Sequence, residues 1–336
     1  MQISFPEYYK NFRCIASACP DSCCKEWTVD VDDESAALYR SLPGALGDRL
    51  RQVLQSTEDG TVMTITDGRC PMWREDGLCR IQAELGHDAL CQTCRNFPRL
   101  RHDYGDFVEL GLELSCPEAA RLIFGSKCQS IVAEFADSGE TPEYDEEIMS
   151  ILLESRKIVL DFLNSETMPF NESLAVILLY SHSVQSELDG GEKAIFDPTE
   201  SLEKAKKYAK GGDIPSICDF FLGLEILTDT WRDRLSAPLS DQAIDNPLRP
   251  LARYMIQRYW LQAVADLDLV CRVKFAIVAC LLVNALGQDP VSTAQLFSKE
   301  TENDPDNVEA ILDAAYSHPA FTDVALLGSL LITRKN

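Results

Sequence analysis

The stretch Glu146-Glu147-Ile148-Met149-Ser150-Ile151-Leu152-Leu153-Glu154-Ser155-Arg156-Lys157-Ile158-Val159-Leu160-Asp161-Phe162-Leu163-Asn164 places apolar residues at three- and four-residue intervals. That period is the mark of a helix with one buried face. It recurs over Glu172 to Leu188, Ile217 to Leu235, Leu251 to Ala265, Val270 to Leu286 and Val308 to Ala315. Residues 131–336 are therefore expected to form an all-helical domain. Its clearest breaks are Gly139-Glu140-Thr141-Pro142, Gly211-Gly212-Asp213-Ile214-Pro215 and Ala237-Pro238.

Toward the N-terminus the pattern shortens. Trp27 to Val31 and Thr61 to Thr66 alternate as strands do, and Phe107 to Leu114 does so more weakly. Asp32-Asp33-Glu34 puts negative charge where a helix N-terminus favours it. Leu46 to Leu54 fits an amphipathic helix, and Glu75-Asp76-Gly77 is a turn signal. Pro117 and Glu118 suit the first turn of a helix running to about Phe124. The expected fold class is mainly α: a cysteine-rich region of residues 1–130 with short strands, then the helical array.

Ten of the 13 cysteines lie between Cys14 and Cys128. Core packing does not need that density, so the region is read as a thiolate-ligated metal or iron-sulfur domain. The candidate ligands are Cys19, Cys23, Cys24, Cys70, Cys79, Cys91, Cys94 and Cys116. Cys91-x2-Cys94 is the tight pair that zinc and iron-sulfur centres use, and a Cys-Pro dipeptide such as Cys116-Pro117 is common beside cluster ligands. Cys14 could instead pack inward behind Phe12, and Cys128 is the weakest member. A disulfide framework is the rival, but residues 1–6 show no basic region leading into an apolar stretch. The expected location is therefore cytoplasmic, where thiols stay reduced and clustered thiolates favour a soft metal. Cys218, Cys271 and Cys280 stand in apolar helical surroundings and read as small buried hydrophobes.

With a formal charge of −23, 46% hydrophobic and 25% charged residues, the chain reads as globular and unsuited to phosphate backbones. A neutral or basic protein partner fits better, and no apolar stretch is long enough for membrane insertion. Arg95, Arg99 and Arg101 make a basic island beside Cys91 and Cys94, where Arg95 and Arg99 could hold an anionic group of a cofactor. Gly-x-Gly-x-x-Gly after a strand, a P-loop and His-Glu-x-x-His are all absent. Four histidines, His87, His102, His182 and His318, are too few for a histidine-dominated metal site. Only His102 adjoins the cysteine region closely enough to be considered a ligand.

These residues, in order, resemble a known family. Phe12-x-Cys14-Ile15, Cys19-Pro20-Asp21-Ser22-Cys23-Cys24-x-x-Trp27, Cys70-Pro71, Gly77-Leu78-Cys79-x-Ile81, Leu85-Gly86, Cys91-x-x-Cys94-x-x-Phe97-Pro98-Arg99 and Leu114-Ser115-Cys116-Pro117-Glu118-Ala119-Ala120-Arg121 look like the flagellin lysine N-methylases. They also resemble a broader group with a zinc- or iron-chelating cysteine cluster. The resemblance covers roughly residues 5–125 and implies transfer of a methyl group from S-adenosylmethionine to lysines of flagellin or a related protein. It also implies an iron-sulfur centre, here taken as a 4Fe-4S cluster, with zinc or iron as the alternative.

Such a transfer needs a neutral amine, because a lysine with pKa about 10.4 cannot attack a sulfonium while protonated. Tyr8, Tyr9, Tyr104, Asp30, Glu109 and Glu113 are candidates to assist, with Glu113 and Tyr104 taken as the catalytic pair. The competing reading is a non-catalytic zinc- or iron-sulfur-binding protein-interaction or assembly factor.

Overall fold

The structure is a computed structural model that describes residues 2–21, 23, 28–58, 60–65, 68–127, 130–135, 143–240 and 242–332, with 130–135 described as backbone. Among the described residues it is mainly helical, with short strands confined to the N-terminal region. That region contains β1 (Gln2–Pro6), β2 (Val29–Val31), α1 (Asp33–Ser41), α2 (Gly44–Val53), β3 (Leu54–Thr57), β4 (Gly60–Met63), α3 (Arg80–Leu85), α4 (Gln92–Asn96), β5 (Arg99–Asp103), β6 (Phe107–Leu112), α5 (Pro117–Phe124) and β7 (Ser130–Phe135). The array that follows comprises α6 (Glu146–Ser165), α7 (Phe170–Leu188), α8 (Pro198–Tyr208), α9 (Ile214–Leu222), α10 (Asp229–Ser236), α11 (Arg249–Tyr259), α12 (Val270–Ala285), α13 (Pro290–Thr301), α14 (Pro305–Ser317) and α15 (Asp323–Leu331).

The strands form two small sheets. One has the order β5-β6-β1-β7, with β1 parallel to β6 and antiparallel to β7. The other is the antiparallel order β2-β4-β3. β7 begins at Ser130, so the chain returns to the first sheet before entering the helices. The break expected at residues 139–142 lies outside the described residues, as do Cys24, Trp27 and Cys128.

Two apolar cores result. The smaller gathers Val29, Val31, Tyr39, Leu50, Met63, Met72 and Ile81 together with Cys70 and Cys91. The larger runs from Tyr8 and Phe12 through Leu112 and Ile123 into the helices. At its centre α12 is buried on nearly every side, as an all-round apolar helix must be. Its two cations are accommodated at one end. Arg272 pairs with Asp266 at 2.8 Å, and Lys274 Nζ donates to the Ala315 carbonyl at 2.9 Å. Burial pushes the Cys218 thiol up to about 11 and that of Cys271 to about 12, consistent with inert core cysteines.

The stretch Ile217 to Leu235, expected as one helix, is two. α9 ends at Gly223, and α10 restarts where the Thr228 side chain accepts from the Trp231 amide. The sheet and the array are joined by a buried ion pair. Glu109 on β6, 8% exposed, accepts both Arg156 guanidinium nitrogens of α6 at 2.5 and 2.8 Å. No helix among the described residues is long and apolar enough to cross a membrane.

Candidate functional site

Three of the cysteines expected as ligands occupy N-cap positions: Cys79 precedes α3, Cys91 precedes α4 and Cys116 precedes α5. Backbone N–H groups in a first helical turn favour a sulfur that carries negative charge. Local sequence fixes each start. Gly77 has φ +78, a left-handed conformation that lets the Arg74–Gly77 turn close with an amide-to-carbonyl bond of 2.9 Å, so that Cys79 leads out of the turn. Pro117 at the first position of α5 sets that helix immediately after Cys116.

Asp32 governs a fourth junction. Its carboxylate accepts from the Ser35 amide at 3.0 Å, capping α1, and from the Gln92 amide at 2.7 Å in the first turn of α4. The Gln92 amide is the main cause of a carboxyl pKa below the ordinary range, with the Ser35 amide next. Asp32→Ala is expected to cost about 1 to 2 kcal/mol in urea denaturation. A depressed folded-state pKa stabilises above the unfolded value, roughly 3.9, and that contribution vanishes as pH falls through the folded value. The gap between wild type and Asp32→Ala should therefore be full at pH 7 and close as pH drops below about 4. A gap that is constant from pH 7 to pH 2 would contradict this assignment.

Around these helix starts lies a cavity of about 320 Å³ whose wall carries six thiols: Cys14, Cys19, Cys23, Cys79, Cys94 and Cys116. Cys14 follows the buried Phe12 and points its own side chain outward, its sulfur accepting from the Ala16 amide at 3.4 Å. Cys19 ends the short 3-10 turn Ala16–Ala18. The cavity thus includes Cys14, which sequence spacing alone left out of the ligand set. Cys70 and Cys91 are instead buried in the smaller core, the Cys70 sulfur 3.5 Å from that of Met63. Cys91 adjoins the cavity through Cys94, whose side-chain and backbone hydrogen bonds lower the Cys91 thiol to about 7 despite burial. Burial pushes the Cys116 thiol up to about 11.

Arg95 and Arg99 both line the cavity, as does Arg13. The Phe97-Pro98 peptide between them is cis. Neither Glu113 nor Tyr104 is among the lining residues. Glu113 follows β6, its amide donating to the Pro98 carbonyl at 2.7 Å. Burial raises its carboxyl pKa, which Arg258 opposes and Glu302 reinforces. Tyr104 sits at the far tip of the β5-β6 hairpin, stacked on Phe107 at 4.7 Å. A five-residue strand, roughly 17 Å, separates it from Arg99. Burial raises its phenol pKa. His102 points elsewhere too, into a niche of about 30 Å³ with Glu109, Tyr254 and Arg258.

The array contributes residues that spacing arguments missed. Lys299 of α13 lines the cavity and places its Nζ 3.1 Å from Asp21, between Cys19 and Cys23 in the chain. Gln295, one turn earlier, donates to the Ser115 carbonyl at 2.6 Å. The Asp289-Pro290 start of α13 is a sequence signal that could have found that helix, whose buried residues are mostly polar.

Four sulfurs around one zinc would lie within about 4 Å of each other, since Zn–S is about 2.3 Å. Among the described residues, no three His, Cys, Asp or Glu side chains form a group of the kind that could hold a single metal ion. The six thiols are carried on the wall of one cavity.

No protein-family model and no solved structure matches the chain. Three curated proteins do. The flagellar biosynthetic protein FliU of Salmonella muenchen is 34% identical over 131 residues, which is 36% of this chain and 76% of that protein. The lysine-N-methylases of Salmonella choleraesuis and Salmonella typhimurium are each 32% identical over 128 residues, 36% of this chain. The match spans about a third of those two proteins, 32% of each. With three quarters of FliU covered at that identity, the chain belongs to the family of FliU and the lysine-N-methylases.

Proposed function

We propose that the protein is a protein-lysine N-methyltransferase that takes its methyl group from S-adenosylmethionine and acts on flagellin or a related protein. The observation that carries this reading is the kinship with proteins named lysine-N-methylase. The six-thiol cavity supports a metal or iron-sulfur centre beside the reaction. Four of Cys14, Cys19, Cys23, Cys79, Cys94 and Cys116 would hold such a centre, a 4Fe-4S cluster in preference to zinc or iron alone. When bound, it would supply fixed charge and bring the loops that carry these thiols together.

The remaining chemistry falls to the chain and its substrates. The lysine nitrogen's lone pair forms the new N–C bond, the sulfonium sulfur keeps the electrons of the broken S–C bond, and the amine's proton leaves before attack. Arg95 and Arg99, which line the cavity, would bind the donor's carboxylate. Phe12, Phe97 and Leu90 supply apolar wall that favours a neutral amine over a charged one. Glu113, whose burial raises its carboxyl pKa and so makes its carboxylate a stronger base, is the candidate proton acceptor two residues from the cavity's Ser115. The position of Tyr104 at the hairpin tip suits a role in packing there more than contact with the cavity.

Anaerobically purified protein is expected to contain iron and acid-labile sulfide, and to methylate flagellin lysines when given labelled S-adenosylmethionine. Peptide mass analysis reads the product. Zinc without sulfide would replace the cluster by a structural ion. The name of FliU, a flagellar biosynthetic protein, favours a second reading, a metal-binding assembly factor. Binding of flagellin with neither donor binding nor methylation would select it.

A further inference from the structure

We propose that Lys299, seconded by Gln295, is a positioning residue by which the helical array holds the Cys19–Cys23 segment and Cys116 on the wall of the thiol-lined cavity. The inference rests on the reading of that cavity as the site of a thiolate-held centre. Among the described lining residues, Lys299 is the one that comes from beyond α5. It is 3% exposed, and its Nζ lies 3.1 Å from the Asp21 carboxylate.

Asp21 stands two residues from Cys19 and two from Cys23, so the ion pair grips the chain midway between two thiols. Gln295 is one helical turn away on the same face. Its amide nitrogen donates to the Ser115 carbonyl at 2.6 Å and reaches Asp21 at 3.4 Å. One face of α13 therefore touches the segment carrying Cys19 and Cys23 and the residue that precedes Cys116.

An apolar side chain would cover the same surface without the cost of taking an ammonium out of water. A buried lysine at this point is better explained by position than by stability. An ion pair fixes where Asp21 sits, and with it the approach of two thiols, as outer partners of metal ligands commonly do.

Full-length protein carrying Lys299→Met or Lys299→Arg, stripped of metal under anaerobic conditions, separates position from stability. Hydrogen exchange is followed by mass spectrometry over residues 14–23, 112–118 and 270–285. Anaerobic reconstitution with ferrous iron and sulfide is followed in parallel by its thiolate-to-iron charge-transfer absorption. Lys299→Met is expected to speed exchange in the first two segments but not in α12, and to weaken iron uptake by about 10- to 100-fold. Lys299→Arg should restore both. Unchanged exchange in the cysteine segments would overturn the proposal, as would equal acceleration in α12, which marks general destabilisation. If the wild type takes up neither iron nor sulfide, the reading of the cavity fails while exchange still decides the clasp. Should Lys299→Met not fold, Asp21→Asn breaks the same pair from the loop side and is judged by the same measurements.

Discussion

The triple variant Cys79→Ser, Cys94→Ser, Cys116→Ser is expected to lose lysine methyl transfer by on the order of 100-fold or more, with the helical array still folded. Changes to the outer partners of a metal site already cost about 10- to 100-fold, and these residues are the thiols themselves. Cys79 and Cys94 belong to the smaller core's surroundings, and Cys116 is a single rim residue of the larger apolar cluster that stabilises α6 to α15. Circular dichroism should therefore keep most of its helical signal while iron, sulfide and product fall together. A variant that holds no iron yet methylates flagellin at the wild-type rate would remove the cavity from the mechanism.

Arg156→Met is expected to be the most destabilising single substitution considered, at about 3 to 5 kcal/mol, because it strands the Glu109 carboxylate inside the protein. Arg156 is itself only 6% exposed, so water cannot readily take its place. The double variant Glu109→Leu, Arg156→Met removes both charges and should recover much of the loss. Chemical denaturation of the three variants measures this directly. If residues 1–130 and 131–336 unfold as separate units, Arg156→Met should also split the transition, since the pair joins β6 to α6. A double variant as unstable as the single would mean that shape, not stranded charge, sets the cost.

How far the sequence discloses the molecule follows from what each helix buries. α6, α7 and α14 bury apolar side chains at regular intervals and α12 is apolar nearly all round, and these patterns mark them to within a few residues. α13 buries Thr293, Gln295, Ser298, Lys299, Glu300 and Thr301 alongside Ala294, Leu296 and Phe297, so the apolar pattern that reveals other helices is diluted in it. The available signal was an aspartate followed by proline. Asp197-Pro198, Asp289-Pro290 and Asp304-Pro305 all open helices with a side-chain cap and a pre-set backbone angle.

The cysteine region shows the same division. Spacing identified the thiols as a group, and five of the eight candidate ligands do line one cavity. Spacing could not show that Cys70 and Cys91 turn into a local core, because Met63, Met72 and Tyr39 reach them only through tertiary packing. Nor could it bring in Cys14, Lys299 or Gln295. These depend on the path of a loop and on a helix almost 280 residues away in sequence from its partner, Asp21.

The placement of Cys79, Cys91 and Cys116 at helix starts carries a consequence for how this part of the chain acquires its shape. α3, α4 and α5 have six, five and eight residues, lengths at which a helix in water barely holds. Two of their first turns open at the cavity wall and the third beside it. Whatever fills the cavity would thus act as a template that nucleates three helices at once. The N-terminal third would mature when it is loaded, while α6 to α15 condense unaided around their apolar centre.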